Sequence, residues 1–361
     1  MHPSTALAWS WLNVLTKKRY DALVAAYGDL DAALEAVDME LLMKLGCKEE
    51  TAMKAINRLD EFDADAYARE LEKRDILFLS MEDEVYPAAL REIADPPVFL
   101  YYRGLLHILS EPCIACVGTR AMSAYGKRVA GLFVPAFVRS GMVTVSGLAE
   151  GIDAAVAKES LAAGGKTVAV LGHGLGSIYP RGNAKLAEEI VDGGGLLLSE
   201  FPLDMMPDKF TFPARNRIIA GLSLGTVVFE AGDGSGAIIT ADLALEYGRE
   251  CFAVPGQVFD ENFIGCHQLI ASGRAALVTH PDEVLRELGV VTSSGAAPAR
   301  EYCTDDPDEA AIFKSLSMMP QSVDDLVAKA ALQAAVISAK LTMLEIRGAA
   351  RNVGGGMWVR A

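Results

Sequence analysis

Nine short apolar runs along the middle of the chain restrict its fold more than any other feature. From Ile76 onward they read ILFLS, VFLYYRG, CIACVG, MVTVSG, TVAVLG, GLLLSE, TVVFEA, CFAVPG and AALVT. Each has the length of a strand, β-branched residues recur among them, and most stop at Gly, Ser or Glu. Helix-like stretches rich in Ala and charge separate many of them. Continuous apolar strands alternating with helices call for a parallel sheet covered on both faces. A doubly wound α/β domain is therefore expected over residues 63–288, its strands beginning at Ile76.

The flanks read differently. Residues 1–62 suggest short helices: LDAALEAVDMELLMKLG has apolar positions at helical spacing, and Gly46 suits a C-cap. Small helical modules of the SAM or helix-hairpin-helix kind hold DNA or proteins, and the acidic balance here favours a protein-interaction module. Residues 289–307, with Gly, Ala, Ser and Pro leading into an acidic patch, read as a linker. Residues 308–361 form a compact tail. DEAAIFKSLSMM is an amphipathic helix stopped at Pro320, and SVDDLVAKAAL opens on a serine N-cap with acids in its first turn. LQAAVISAKLTMLEIRG then gives a longer helix, and AARNVGGGMWVRA a hairpin with a glycine turn. Three helices and a hairpin are winged-helix order.

The chain has 361 residues and is 51% hydrophobic, which excludes global disorder. No segment reaches the ~18 uncharged apolar residues of a membrane span. The first residues carry their charges after the apolar part, the wrong order for a signal peptide. Cys113 and Cys116 in EPCIACVG have the spacing of a zinc half-site, but no second Cys/His pair completes it. On a strand, positions i and i+3 face opposite ways, so buried free thiols in a reducing cytoplasm are expected. The net charge of −15 weighs against a polyanion partner. The acids are densest in residues 1–110, however, and a polyanion needs only a local basic cluster.

Ligands of a parallel α/β sheet bind beyond the carboxyl ends of its strands, so the residues after each run carry the information. Thr119 and Arg120 follow CIACVG. Ser146, Gly147, Gly151 and Asp153 follow MVTV. His173, Gly174 and Gly176 follow TVAVLG, with Arg181 and Asn183 beyond them. FPARNR, with Arg215, Asn216 and Arg217, comes after GLLLSE, and Ser235, Gly236 and Thr240 come after TVVFEA. Glycines admit a ligand close to the backbone, and helix-terminal amides hold phosphate. GHGLG and GDGSG are weak dinucleotide fingerprints, and no Walker lysine follows any glycine loop. Four arginines on one face, 120, 181, 215 and 217, outweigh a reading of the glycines as tight turns only. Arg215 and Arg217 bring two planar forks that suit the oxygens of successive phosphates. Read as solvent-facing, they should matter little to stability.

A catalytic set is not evident. His173 lacks an acid partner in the sequence, Glu200 and Glu230 could equally pair or satisfy loop amides, and Ser146 and Ser235 lack a nucleophile-elbow context. A binding face without cofactor or metal is the better reading.

These motifs, in their order, resemble the DprA (Smf) family of DNA-processing proteins. The likeness runs through YPAAL, VGTR, SGLAEGID, VLGHGLGSIYPRGN, SEFP, FPARNRIIAGLS, EAGDGSGAIITA and VPG with IGCHQLI, and covers nearly the whole chain. It implies an extended Rossmann-like domain that binds single-stranded DNA, and loading of the RecA recombinase on that strand during transformation and recombination. It implies no enzyme activity. By the same likeness Arg120, Arg181, Arg215 and Arg217 are the positions expected to meet DNA phosphates. A homodimer is expected near Phe259, Phe263, Ile264, Leu269 and Ile270. Two positions depart from the family pattern: Val156-Ala157 stands where Ala-His is usual, and His267 where an Asn is usual. The tail resembles the family's winged helix. Its recognition helix carries only Lys340 and Arg347 as cations, which predicts protein contact or an auxiliary DNA role. The alternative is a Rossmann-like nucleotide-processing enzyme of the phosphoribohydrolase type, whose glycine-rich run EAGDGSGAIITADLALE vaguely resembles, with Glu246 in a distant position and no PGG.

Overall fold

The computed structural model describes residues 1–290, 304, 306–317 and 319–360. They fall into two compact units, Met1–Thr292 and Ser293–Ala361.

All nine apolar runs are strands of one sheet: β1 (Leu77–Ser80), β2 (Phe99–Gly104), β3 (Cys113–Gly118), β4 (Val143–Ser146), β5 (Thr167–Val170), β6 (Leu196–Ser199), β7 (Gly225–Glu230), β8 (Glu250–Ala253) and β9 (Ala276–Leu277). Their order is β1-β2-β6-β5-β4-β3-β7-β8-β9. From β6 to β9 every neighbouring pair is parallel, whereas β1–β2 and β2–β6 are antiparallel. The wholly parallel sheet expected from the sequence is thus corrected at one edge. Leu77 on β1 is exposed and Arg103 on β2 half-buried, and an antiparallel edge tolerates such one-sided cover where a parallel strand does not.

The chain lays β3 to β6 outward in one direction, then crosses back to place β7 on the other side of β3. This reversal between β3 and β7 is the topological switch point of the sheet. Both faces are covered. Val145, Val168 and Val228 pack with Ile218, Ile219 and Ala241 on one side, and Ile114, Cys116 and Phe229 with Val129, Phe133 and Val284 on the other. Cys113 and Cys116 fall in opposite layers, as the period of two requires. The five described cysteines are buried and free.

The N-terminal helices do not form a unit apart. Trp9, Leu23, Leu30 and Leu42 build a cluster that includes Val98 and Phe99 of the sheet edge. Tyr67 Oη donates to Tyr101 Oη at 3.1 Å, and Ser10 Oγ bonds the same hydroxyl at 2.6 Å. The boundary expected at residue 62 therefore lies inside one continuous core. Most of the expected linker, 289–307, lies outside the described residues.

The second unit has the expected order: helices Pro307–Ser315, Val323–Ala330 and Ala334–Ile346, then a hairpin of β11 (Ala350–Gly354) and β12 (Met357–Arg360). A short strand, β10 (Gln321–Ser322), joins β12 on its free side. Ile312, Leu326, Ile337, Leu341 and Trp358 fill the core.

Candidate functional site

An open crevice of about 380 Å³ lies where the switch point predicts it, beyond the carboxyl ends of β3 and β7. Arg120, Phe212, Arg215, Asn216, Ser235 and Thr240 are among its lining residues. Arg120 is exposed, and its guanidinium carbon stands 5.0 Å from the centre of the Phe212 ring. Such a fork, held over an aromatic face, keeps its donors directed at solvent. On the opposite wall the helix Gly236–Glu246 begins. Ser235 caps it by accepting from the Ala237 amide at 3.3 Å, and Gly236 is exposed at its head. First-turn amides of that kind are donors without intrahelical partners. A smaller pocket of about 50 Å³ continues past Arg120 between Gly147, His173, Tyr179 and Phe212.

The two forks of FPARNR do not act together. The segment is helical, within Thr211–Leu222, so two residues apart means about 200° around the axis. Arg215 points inward and is 4% exposed. Its Nη1 donates to the carbonyl of Gly147 at 2.7 Å and to that of Val170, and its Nε to Asn216 Oδ1 at 3.2 Å. Any side chain at position 147 would overlap this guanidinium, which explains the glycine there. Asp153 lies behind it, accepting from the amides of Gly147 (3.1 Å) and Ala149 (3.4 Å). Burial lowers the Arg215 pKa to about 10, against the opposing charge of Asp153; burial raises the Asp153 carboxyl, and Arg215 opposes that shift. Arg215 is charged at neutral pH and serves as a brace between β4, β5 and the crevice wall. Arg217 turns the other way. It is 14% exposed, paired with Glu200, and 3.5 Å from Asp95. Burial pushes Glu200 up, and the charge of Arg217 opposes it. The sequence expectation of two solvent-facing forks is corrected on both counts.

The remaining expected residues divide by depth. Arg181 is exposed on the turn Arg181–Asn183, and Asn183 ties that turn down by donating to the carbonyls of Leu148 (2.9 Å) and Ala149 (3.3 Å). Ser146 faces inward, its hydroxyl donating to Cys116 O at 2.8 Å. Gly151 has φ +78° and lies so close to the Thr119 carbonyl that a Cβ would overlap it. Gly174 is buried, its amide donating to Met205 O at 2.9 Å. Asn216 and Thr240 both bond the Gly236 carbonyl, at 3.2 and 3.4 Å, and so hold the helix head. Arg120, Arg215, Asn216, Ser235, Gly236 and Thr240 thus meet at the crevice. Arg181, Asn183 and Gly174 lie on adjoining loops, and Arg217 stands apart.

Sequence reasoning passed over the aromatics. Phe212 lies under Arg120, Tyr179 beside it at 6.1 Å between ring centres, and Phe210 is 73% exposed with Lys209 Nζ 5.0 Å from its ring. Their signal was an aromatic pair just before a basic run.

Catalytic alternatives lose their geometry. The buried His173 ring sits 2.9 Å from Gly174 O through Nδ1 and accepts the Tyr179 amide through Nε2 at 3.3 Å. Burial lowers its pKa, and both ring nitrogens are engaged by backbone. Glu200 and Glu230 have separate partners, Arg217 and Ser123. Glu246 ends the helix whose head lines the crevice, roughly 15 Å away at 1.5 Å per residue. At the first departure from the family pattern, Val156 and Ala157 are core residues of the helix Ile152–Ala162. At the second, His267 bonds the Gly256 backbone at 3.2 Å. Of the five residues proposed for dimer contact, Phe263 and Leu269 are core. Phe259 and the adjacent Val258 are exposed, at 99% and 80%, and Ile264 is 37% exposed.

Comparison with known proteins gives the family. The family described as DNA recombination-mediator protein A matches residues 77–289, and the DprA winged helix domain matches residues 295–356. Protein Smf of Escherichia coli is 40% identical over 294 residues, 79% of this chain and 78% of that protein. DNA processing protein DprA of Streptococcus pneumoniae is 42% identical over 258 residues, 70% and 89% of the two chains. The crystal structure of DprA from Streptococcus pneumoniae superposes with a TM-score of 0.67 at 37% identity, covering 80% of this chain and 98% of that one. DNA processing protein A from Helicobacter pylori, whose structure is described for its unique single-stranded DNA binding mode, gives a TM-score of 0.53 at 31% identity, covering 58% and 95%. The match takes in the sheet, the switch-point crevice and the tail alike, and the chain belongs to the DNA recombination-mediator protein A family.

Proposed function

We propose that this chain binds single-stranded DNA along the crevice face, and that it acts by binding, with no catalytic step of its own. One observation carries the reading: the exposed Arg120 fork, laid on Phe212, and the open head of the helix Gly236–Glu246 line the same open crevice of about 380 Å³. Arg120 offers a bidentate contact to one phosphate, the helix head neutral donors to the next, and Arg181 a further charge outside. The exposed rings of Tyr179 and Phe210 offer faces on which bases stack, at about 1–3 kcal/mol each without sequence preference. A duplex hides its base faces and cannot use them. The single-strand binding of the Helicobacter pylori relative supports the same reading.

In this reading the bound strand is handed to the RecA recombinase during DNA uptake and recombination in the cytoplasm. No single helix among the described residues is long and apolar enough to cross a membrane. The winged helix contributes protein contacts. On its helix Ala334–Ile346, Lys340 is held by Asp306, and Arg347, just after the helix, donates to Glu309 at 2.7 Å. Ala335, Ala339, Met343 and Ile346 are left on the exposed side.

The test is anisotropy of the full chain with single- and double-stranded oligonucleotides of mixed sequence over a salt series. Single strands should bind preferentially, with a log–log salt slope of about −0.7 per phosphate neutralised. A salt-independent affinity or a preference for duplex would overturn the proposal.

We also propose a homodimer through Val258, Phe259 and Ile264. A fully exposed phenylalanine next to an exposed valine is costly to leave in water, and two-fold pairing would cover it while setting two crevices on one particle. Light scattering should give a dimer at roughly tens of micromolar and a monomer for Phe259→Asp. A monomeric wild-type protein at that concentration would remove the claim.

A further inference from the structure

The helices that follow β3 and β7 both start at the carboxyl ends of the sheet, and only one of the two heads, that of Gly236–Glu246, is open to the crevice. The other begins the 16-residue helix Ala124–Arg139, directly after β3. In a doubly wound sheet the helix following the first core strand at the switch point is where a nucleotide's phosphates sit, drawn by its free amides and positive end. Here that position is taken by the chain itself. Glu230, at the end of β7, is 0% exposed and reaches across from 107 residues away in sequence. Its carboxylate accepts the Ser123 amide at 3.2 and 3.1 Å through its two oxygens and the Ser123 hydroxyl at 3.1 Å. Ser123 is also the helix cap, its Oγ accepting from the Gly126 amide at 3.0 Å. A Cβ at Gly126 would overlap Glu230 Oε2, so the first turn presents bare backbone to the carboxylate, as such turns do to a phosphate. The β7 backbone adds to the closure, the Thr119 amide donating to the Glu230 carbonyl at 2.7 Å.

We infer that Glu230 is a resident anion that fills the phosphate seat of the first helix and thereby closes that seat to free nucleotides. Like charge and lack of space both act against a phosphate there, while the head of Gly236–Glu246 stays available on the other wall. A crevice in a Rossmann-like sheet would otherwise take mono- and dinucleotides at its mouth. Glu230 closes the first helix to small anions whether or not the crevice holds DNA.

Thermal melting of the full chain with increasing sodium pyrophosphate, and separately ADP, tests it. Wild-type protein should show at most the small concentration-dependent rise in melting temperature that Arg120 and the open head of Gly236–Glu246 allow. Glu230→Ala and Glu230→Ser, which empty the seat and remove its charge, should gain one on the order of a few °C at saturating ligand. If either variant unfolds without added anion, pyrophosphate should restore cooperative melting. Stabilisation of the wild-type protein equal to that of the variants would overturn the inference. So would folded variants that do not respond, or unfolded ones that pyrophosphate fails to rescue, since Glu230 would then be a packing residue only.

Discussion

Arg215→Ala should cost the first unit about 3–5 kcal/mol, the range for breaking a buried charged network by removing one member. For a unit of this size, at ~2.1 cal/mol/K of unfolding entropy per residue, that is roughly 5–8 °C in melting temperature. The substitution strands the carbonyls of Gly147 and Val170, which Arg215 now satisfies, and leaves Asp153 buried without its compensating charge. Arg215→Lys should restore little, because a single ammonium cannot span the two carbonyls and the Asn216 oxygen as the planar fork does. Calorimetric or fluorescence melting of the variants reads the effect directly. A melting temperature within a degree or two of wild type would show that the guanidinium is not the brace described here.

Arg120→Ala should do the reverse. Its fork is exposed and rests on Phe212, with no hydrogen-bond or ion-pair partner among the described residues, so melting should change little. Single-strand affinity should fall at least tenfold, about 1.4 kcal/mol or more, and the salt slope should shrink by about 0.7 for the one phosphate no longer neutralised. The loss should be uniform over oligonucleotide sequences, because a phosphate contact carries no base information. Unchanged affinity and slope in a folded Arg120→Ala protein would move the strand off this crevice. Together the two arginines separate fold from function. Weaker binding by Arg215→Ala is uninformative unless the protein is folded, whereas weaker binding by Arg120→Ala reports the phosphate contact itself.

Much of the molecule was legible along the chain. Strands and helices are set by local patterns: nine apolar runs with small or acidic stops, serine and aspartate caps, and glycines where the backbone must turn. Each pattern is fixed within a few residues, so the strand set, the carboxyl-end face and the winged-helix order could be read without coordinates. What tertiary structure decided was direction. FPARNR contains two identical forks two residues apart, and nothing local says which meets solvent. Helical phase sends them to opposite sides, Arg215 into backbone carbonyls of β4 and β5 and Arg217 onto Glu200. The antiparallel sheet edge, the joining of the N-terminal helices to Val98 and Phe99, and the exposure of Phe259 depend in the same way on partners far off in sequence. Glu230 is the clearest case. In TVVFEA it is one acid closing one strand, and only the packing of β7 beside β3 brings it over a helix whose cap lies 107 residues earlier. Sequence sets which groups a chain owns and which local shapes they favour; burial, which depends on long-range neighbours, decides whether a charge reaches a ligand or holds the fold together.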